Sequence, residues 1–207
     1  MGAPPVKLHV FPLSPNSRKV MMVNALTGLN LPLALVDLRT GAQKSAEFMA
    51  INPNAKTPVL ELDDGSGFWE SNAIINRLCS GAKTDLWPAD ERRYDIMRWQ
   101  FWEASHWTPA CSKFIAKNLF GAEGIDMAAA EADFARFATV LDGVLEGRDW
   151  LVGDGMTTAD ISVGAPLCLR GLCHYPMKGY ANIDRWIARL EALPAWQQVD
   201  AAMQAAA

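Results

Sequence analysis

An α/β segment followed by an all-α segment is the fold class the sequence predicts, and three observations carry it. Strands alternating with helices, punctuated by turn signals, run from Val6 to Gly81, while helical periodicity with no convincing strand runs through the rest. Charge changes at the same place: residues 1–81 carry 7 basic and 6 acidic groups, and residues 82–207 carry 12 and 17. Tryptophan changes with it, Trp69 standing before the boundary and seven more following from Trp87 onward. The expected organisation is an α/β domain over 1–81, a linker over 82–88 and a helical domain over 89–207.

Val6 to Phe11 alternates apolar and polar residues with β-branched members, a strand closed by the Pro12–Asn16 punctuation. Val20, Val23, Asn24 and Leu26 then fall at helical spacing up to Gly28, a helix stop. Leu33 to Leu38 is short and almost wholly apolar, as a strand covered on both faces should be. Ala46 to Ile51 reads as a short helix ended by Asn52-Pro53. Pro58 to Leu62, the Asp63-Asp64-Gly65 turn and Phe68-Trp69 read as a β-hairpin. Glu70 to Leu78 is a helix closing around Ser80-Gly81.

In the second part, Ile96, Trp99, Trp102 and His106 recur at helical spacing until Pro109 imposes a break or kink. Met127 to Leu145 is an Ala-rich periodic helix. Thr157 and Asp160 form a capping-box variant at a helix start, with Asp in place of Glu or Gln. Ile183 to Leu193 is a further helix, and Trp196 to Ala206 extends the bundle beyond Pro194.

Composition narrows the function classes. The 207 residues are 50% hydrophobic and 20% charged, which is ordinary globular usage. No apolar run reaches the ~20 residues of a transmembrane helix. The N-terminus shows no basic region leading into an apolar core, and Val6 stands where a myristoylation signal wants Ser or Thr. The expectation is a soluble cytoplasmic protein with no membrane partner. A net charge of −4 with no basic run argues against nucleic acid as the partner. Cys79, Cys111, Cys168 and Cys173 form no CxxC pair and no metal-ligand spacing with His9, His106 or His174, so free thiols and no metal site are expected.

Three clusters in the first part have chemical potential. Ser14-Pro15-Asn16-Ser17 lies at a strand-to-helix junction, where a hydroxyl and an amide join unpaired backbone N–H groups and the positive helix end. Such a place suits an anion, and a thiolate held there has its pKa lowered. Ser14 equally serves as a plain N-cap with Pro15 at the first helical position. In Ala55-Lys56-Thr57-Pro58-Val59 the proline opens a strand; if cis, it offers the Thr57 backbone sideways as a sheet edge, and if trans, it is an ordinary turn proline. Glu70 and Ser71 open a helix, where the carboxylate holds an ammonium and the hydroxyl a carboxylate, or where both simply cap.

Together these segments resemble the glutathione transferase family, over nearly the whole chain. Asn52 to Leu60, followed ten residues on by Glu70-Ser71-Asn72-Ala73-Ile74, is similar to the family's most specific pattern. Thr157 to Ile161 resembles the cap of its core C-terminal helix, and Asn182 to Trp186 with Leu193 to Trp196 resemble its closing helices. The resemblance implies a thioredoxin-like glutathione-binding domain followed by a helical bundle domain. It implies a cis Pro58, with the Thr57 backbone paired to the cysteinyl part of glutathione. It places Glu70 and Ser71 on the γ-glutamyl end, and Lys56 and Gln43 on the glycine carboxylate.

Ser14 and Asn16 occupy the activating position. Classes with Tyr there are excluded because Tyr94 is the first tyrosine, and cysteine-dependent classes lose support because Cys79 is the first cysteine. The Ser-Pro-Asn-Ser-Arg-Lys-Val run is most similar to bacterial cytosolic enzymes of the nu and related types, with Ser in place of their Thr, so either Ser14 or Asn16 contacts the sulfur. The implied activity is attack of a glutathione thiolate on a small hydrophobic electrophile, a mixed disulfide or a peroxide. Glutathione is the co-substrate, no metal takes part, and the assembly is a homodimer. The alternative is a non-catalytic ligand-binding or protein-interaction module on the same fold. The aromatic stripe Trp99, Phe101, Trp102, His106 and Trp107 lies where the family builds its hydrophobic-substrate pocket, although such stripes commonly pack a core or dimer face. His106 and Trp107, nearest Pro109, are the expected pocket lining, His106 as structure rather than as general base.

Overall fold

The computed structural model describes residues 5–206. The chain divides into two compact units, one running up to Trp87 and resuming at Pro194, the other spanning Pro88–Leu193. In the first unit β1 (Pro5–Val10), α1 (Pro15–Leu26), β2 (Leu33–Leu35), α2 (Ala46–Ile51), β3 (Val59–Leu62), β4 (Gly67–Trp69) and α3 (Ser71–Ala82) occur in order, with short 3-10 turns at Leu38–Thr40 and Ala42–Lys44. The four strands form one mixed sheet in the order β2-β1-β3-β4, a small thioredoxin-like sheet with helices on both faces.

Alternation assigns the faces. Leu8 of β1 lies opposite Leu60 of β3, and both are buried on the side of α1 and α3. His9 lies opposite Val59 on the other face, where Val59 joins Val36 and Phe48, and the His9 and Phe48 rings meet edge to face at 5.9 Å. Gly67 allows that second layer to close: a Cβ there would sit 1.9 Å from the Ile51 carbonyl oxygen. α3 runs through Ser80 and Gly81 and stops at Lys83, whose φ of 54° is left-handed.

The last helix, α9 (Pro194–Ala206), packs on α1, and this is where the division differs from the expected boundary, which put 194–207 with the bundle. The reason is Arg18, wholly buried: its guanidinium lies 2.5 Å from Asp200 Oδ1, 4.9 Å over the Trp196 ring, and donates to Met203 Sδ.

The second unit is helical among its described residues: α4 (Arg92–Trp102), α5 (Thr108–Asn118), α6 (Met127–Val144), α7 (Thr158–Gly164) and α8 (Ala181–Glu191). Pro109 does not break the chain. The helix continues through a π-helical turn at Glu103–Trp107, where the Thr108 N–H bonds to the Glu103 carbonyl, and Pro109 follows at the second residue of α5. The Thr157 capping box is present with Asp160 as its acid. Asp142 of α6 caps α8 from outside, accepting from the Asn182 and Ile183 N–H groups. No helix is long and apolar enough to cross a membrane among the described residues.

Candidate active site

Three backbone junctions of the first unit converge on one polar cleft. The first is the turn between α2 and β3. Asn52, 2% exposed, donates from Nδ2 to the Lys56 carbonyl at 2.7 Å and accepts at Oδ1 from the Asn54 N–H and side chain at 3.0 Å each. These bonds fold residues 52–56 back and deliver Thr57 and Pro58 to the start of β3. The Thr57–Pro58 bond is cis.

The second junction is the start of α3. Glu70 occupies the N-cap with φ 72° and ψ 109°, an uncommon conformation for a residue with a Cβ, and its side chain makes no cap hydrogen bond. Among the described residues the Glu70 carboxylate and the Lys56 ammonium have no hydrogen-bond or ion-pair partner, so an acid and a base stand unneutralised on one cleft wall.

The third junction is the start of α1. Ser14 Oγ accepts from the Ser17 N–H at 3.4 Å as an N-cap, and Pro15 sits next to it in the first helical turn. Asn16, one residue on, reaches the cleft. Its Oδ1 accepts from Ser71 Oγ at 3.3 Å, across 55 residues of sequence.

The cleft wall brings together six of the expected residues: Asn16, Lys56, Thr57, Pro58, Glu70 and Ser71. Ser14 and Gln43 stand outside it. Gln43 lies in the 3-10 turn Ala42–Lys44 with its Oε1 buried and unpartnered. Asn52, Asn54 and Trp69 complete the wall. Sequence reasoning gives them no site role, although Asn52-Pro53-Asn54 is plain there as a helix stop.

The expected pocket residues of the second unit take different places. Trp107 is wholly buried: its indole N–H donates to the Val163 carbonyl at 3.0 Å, and its ring packs on Trp102 and Phe134. That makes it core rather than lining. The π-helical turn supplies the cause, since one extra residue in a turn rotates everything after it by ~100° relative to a straight α-helix. His106 is exposed and stacks on Phe137 at 5.1 Å. Trp99 and Trp102 line a separate apolar groove with Val140 and Val144, rimmed by Arg98 and Arg148. No group of three metal-binding side chains occurs among the described residues.

Residues 13–80 match the Glutathione S-transferase, N-terminal domain family, and residues 105–194 match the Glutathione S-transferase, C-terminal domain family. A maize (Zea mays) glutathione S-transferase is 32% identical over 213 residues, 96% of this chain and 95% of that protein. One from Drosophila melanogaster is 30% identical over 200 residues, 94% of this chain and 88% of that protein. A glutathione transferase of Phanerochaete chrysosporium, crystallised with oxidized glutathione, superimposes with a TM-score of 0.85 at 25% identity, covering 96% of this chain and 95% of its own. The chain belongs to the glutathione S-transferase family. It is an enzyme of the glutathione transferase class, on a thioredoxin-like domain followed by a helical domain.

Proposed function

We propose that the Asn16–Thr57–Glu70 cleft binds glutathione and activates its thiol as a thiolate. The observation that carries this reading is the pair of unneutralised charges, Glu70 and Lys56, on the wall that also holds Asn16. Glutathione carries an ammonium and carboxylate at its γ-glutamyl end and a carboxylate at its glycine end. Glu70 meets the ammonium, the Ser71 backbone N–H at the α3 N-terminus meets the adjacent carboxylate, and Lys56 meets the far one. The Thr57 backbone pairs with the cysteinyl residue between them. The thiol then falls at the start of α1, where Asn16 donates to sulfur and the helix end adds its positive potential. Ser14 stands outside the cleft wall that holds Asn16, which leaves this role to Asn16. The thiolate attacks a small hydrophobic electrophile, or a disulfide or peroxide, and the leaving group departs with its electron pair. The expected assembly is a two-fold homodimer and the expected compartment the cytoplasm.

Titration calorimetry with glutathione tests the placement. Replacing Glu70 by Ala leaves the ligand ammonium unpaired and weakens binding by about 1–3 kcal/mol. Unchanged affinity in Glu70→Ala would mean that the tripeptide lies elsewhere.

A further inference from the structure

Lys19 is 1% exposed, one of the largest fully buried side chains in the chain. Its Nζ lies 3.3 Å from Ser71 Oγ and 3.3 Å from Asn72 Oδ1, both in the first turn of α3. Its neighbour Arg18 points away from this site, onto Asp200 and Trp196 of α9. Burying a lysine is costly, and α1 fills its other interior positions with apolar side chains such as Val20, Met22 and Val23. A buried ammonium at this point therefore does something that packing alone does not require.

Hydrogen-bond direction shows what it does. An ammonium has three donors and no acceptor, so Ser71 Oγ receives from Lys19 and keeps its own proton to give. That proton goes to Asn16 Oδ1, 3.3 Å away. An amide whose oxygen is engaged in this way turns its N–H2 edge to the other side, and Asn16 lies on the cleft wall. We infer that Lys19 is a positioning residue for thiol activation: through Ser71 it fixes Asn16 in the one orientation that donates to the glutathione sulfur. The inference rests on the proposed placement of the thiol at Asn16.

The experiment is the pH profile of kcat/KM for glutathione in the full-length wild type, Lys19→Met, Asn16→Ala and the double variant, with bound thiolate followed by its ultraviolet absorbance. Lys19→Met lowers kcat/KM about 10-fold at neutral pH and moves its rising limb to higher pH. KM for glutathione changes less than about 3-fold, because Glu70 and Lys56 still hold the tripeptide. In the Asn16→Ala background Lys19→Met adds less than about 2-fold, since both changes act on one donor. Lys19→Gln, which keeps a donor, recovers most of the loss. A wild-type profile in Lys19→Met overturns the inference, as does an equal loss with and without Asn16. Should Lys19→Met fail to fold, Ser71→Ala cuts the same path and must move the limb in the same direction; an unmoved limb overturns the wiring. A wild-type protein whose bound glutathione ionises as it does in free solution overturns the underlying reading too, and so separates the two failures.

Discussion

Lys19 in the first unit and Asp160 in the second are both buried ionisable side chains, and they are satisfied in opposite ways. Asp160 is surrounded by donors that end on it. Oδ1 accepts from the Leu151 N–H at 2.9 Å and the Trp186 indole at 3.0 Å, and Oδ2 from the Thr157 N–H at 2.9 Å and the Thr157 hydroxyl at 3.2 Å. Burial pushes the Asp160 carboxyl above the usual carboxylate range, while those four bonds pull it down. The network is closed, local to α7 and the segments packed on it, and none of its residues lines the cleft. Lys19 instead starts a chain that passes through Ser71 to Asn16 and ends on an open cleft. A closed polar centre directs its hydrogen bonds to the fold. An open-ended one keeps its last donor for a ligand.

The largest expected effect breaks the closed centre. Asp160→Ala strands two backbone N–H groups, an indole N–H and a hydroxyl in the interior, and chemical denaturation should show a loss of about 3–5 kcal/mol. Activity per folded molecule stays near wild type. Asn16→Ala reverses the pattern: kcat/KM falls about 10- to 100-fold, and stability moves by less than about 1 kcal/mol because the residue is half-exposed at a helix start. The smallest effect sharpens the contrast between neighbours. Ser14→Ala costs about 1 kcal/mol of stability as a lost N-cap and changes kcat/KM less than about 3-fold. A large kinetic loss in Ser14→Ala with stability unchanged would return the activating role to that hydroxyl.

The two centres also differ in how far they can be read from sequence. Thr157 and Asp160 are three residues apart, so the capping box is a local pattern, legible in the amino-acid order alone. The end of α2 and the β3–β4 hairpin are legible for the same reason, being fixed by Asn52-Pro53 and by Asp63-Asp64-Gly65. Lys19 is not. Ser17-Arg18-Lys19 is a run of three polar residues in the sequence, yet all three are buried, and α3 and α9 both pack on α1 from far along the chain. The Lys19–Ser71 bond spans 52 residues. Ser14 and Asn16 stand equal in sequence, since each carries a donor at the same junction; the structure puts Asn16 on the cleft wall and Ser14 off it. Nearness to Pro109 marks Trp107 for the pocket lining in the sequence, but the π-helical turn before Pro109 leaves no repeating signature, and Trp107 is buried in the core. The cleft residues Lys56, Thr57, Pro58, Glu70 and Ser71 lie at element ends, where family resemblance rather than periodicity marks their roles.

The most direct test is the ultraviolet absorbance of the thiolate in the glutathione complex, titrated against pH in wild type and in Asn16→Ala. The wild-type complex should ionise at a pH well below that of free glutathione, and Asn16→Ala should shift the ionisation upward, leaving about tenfold less thiolate at neutral pH, while the Glu70 end still binds. Identical titrations in the two proteins would contradict the account, for the donor chain from Lys19 would then end on nothing that the reaction uses.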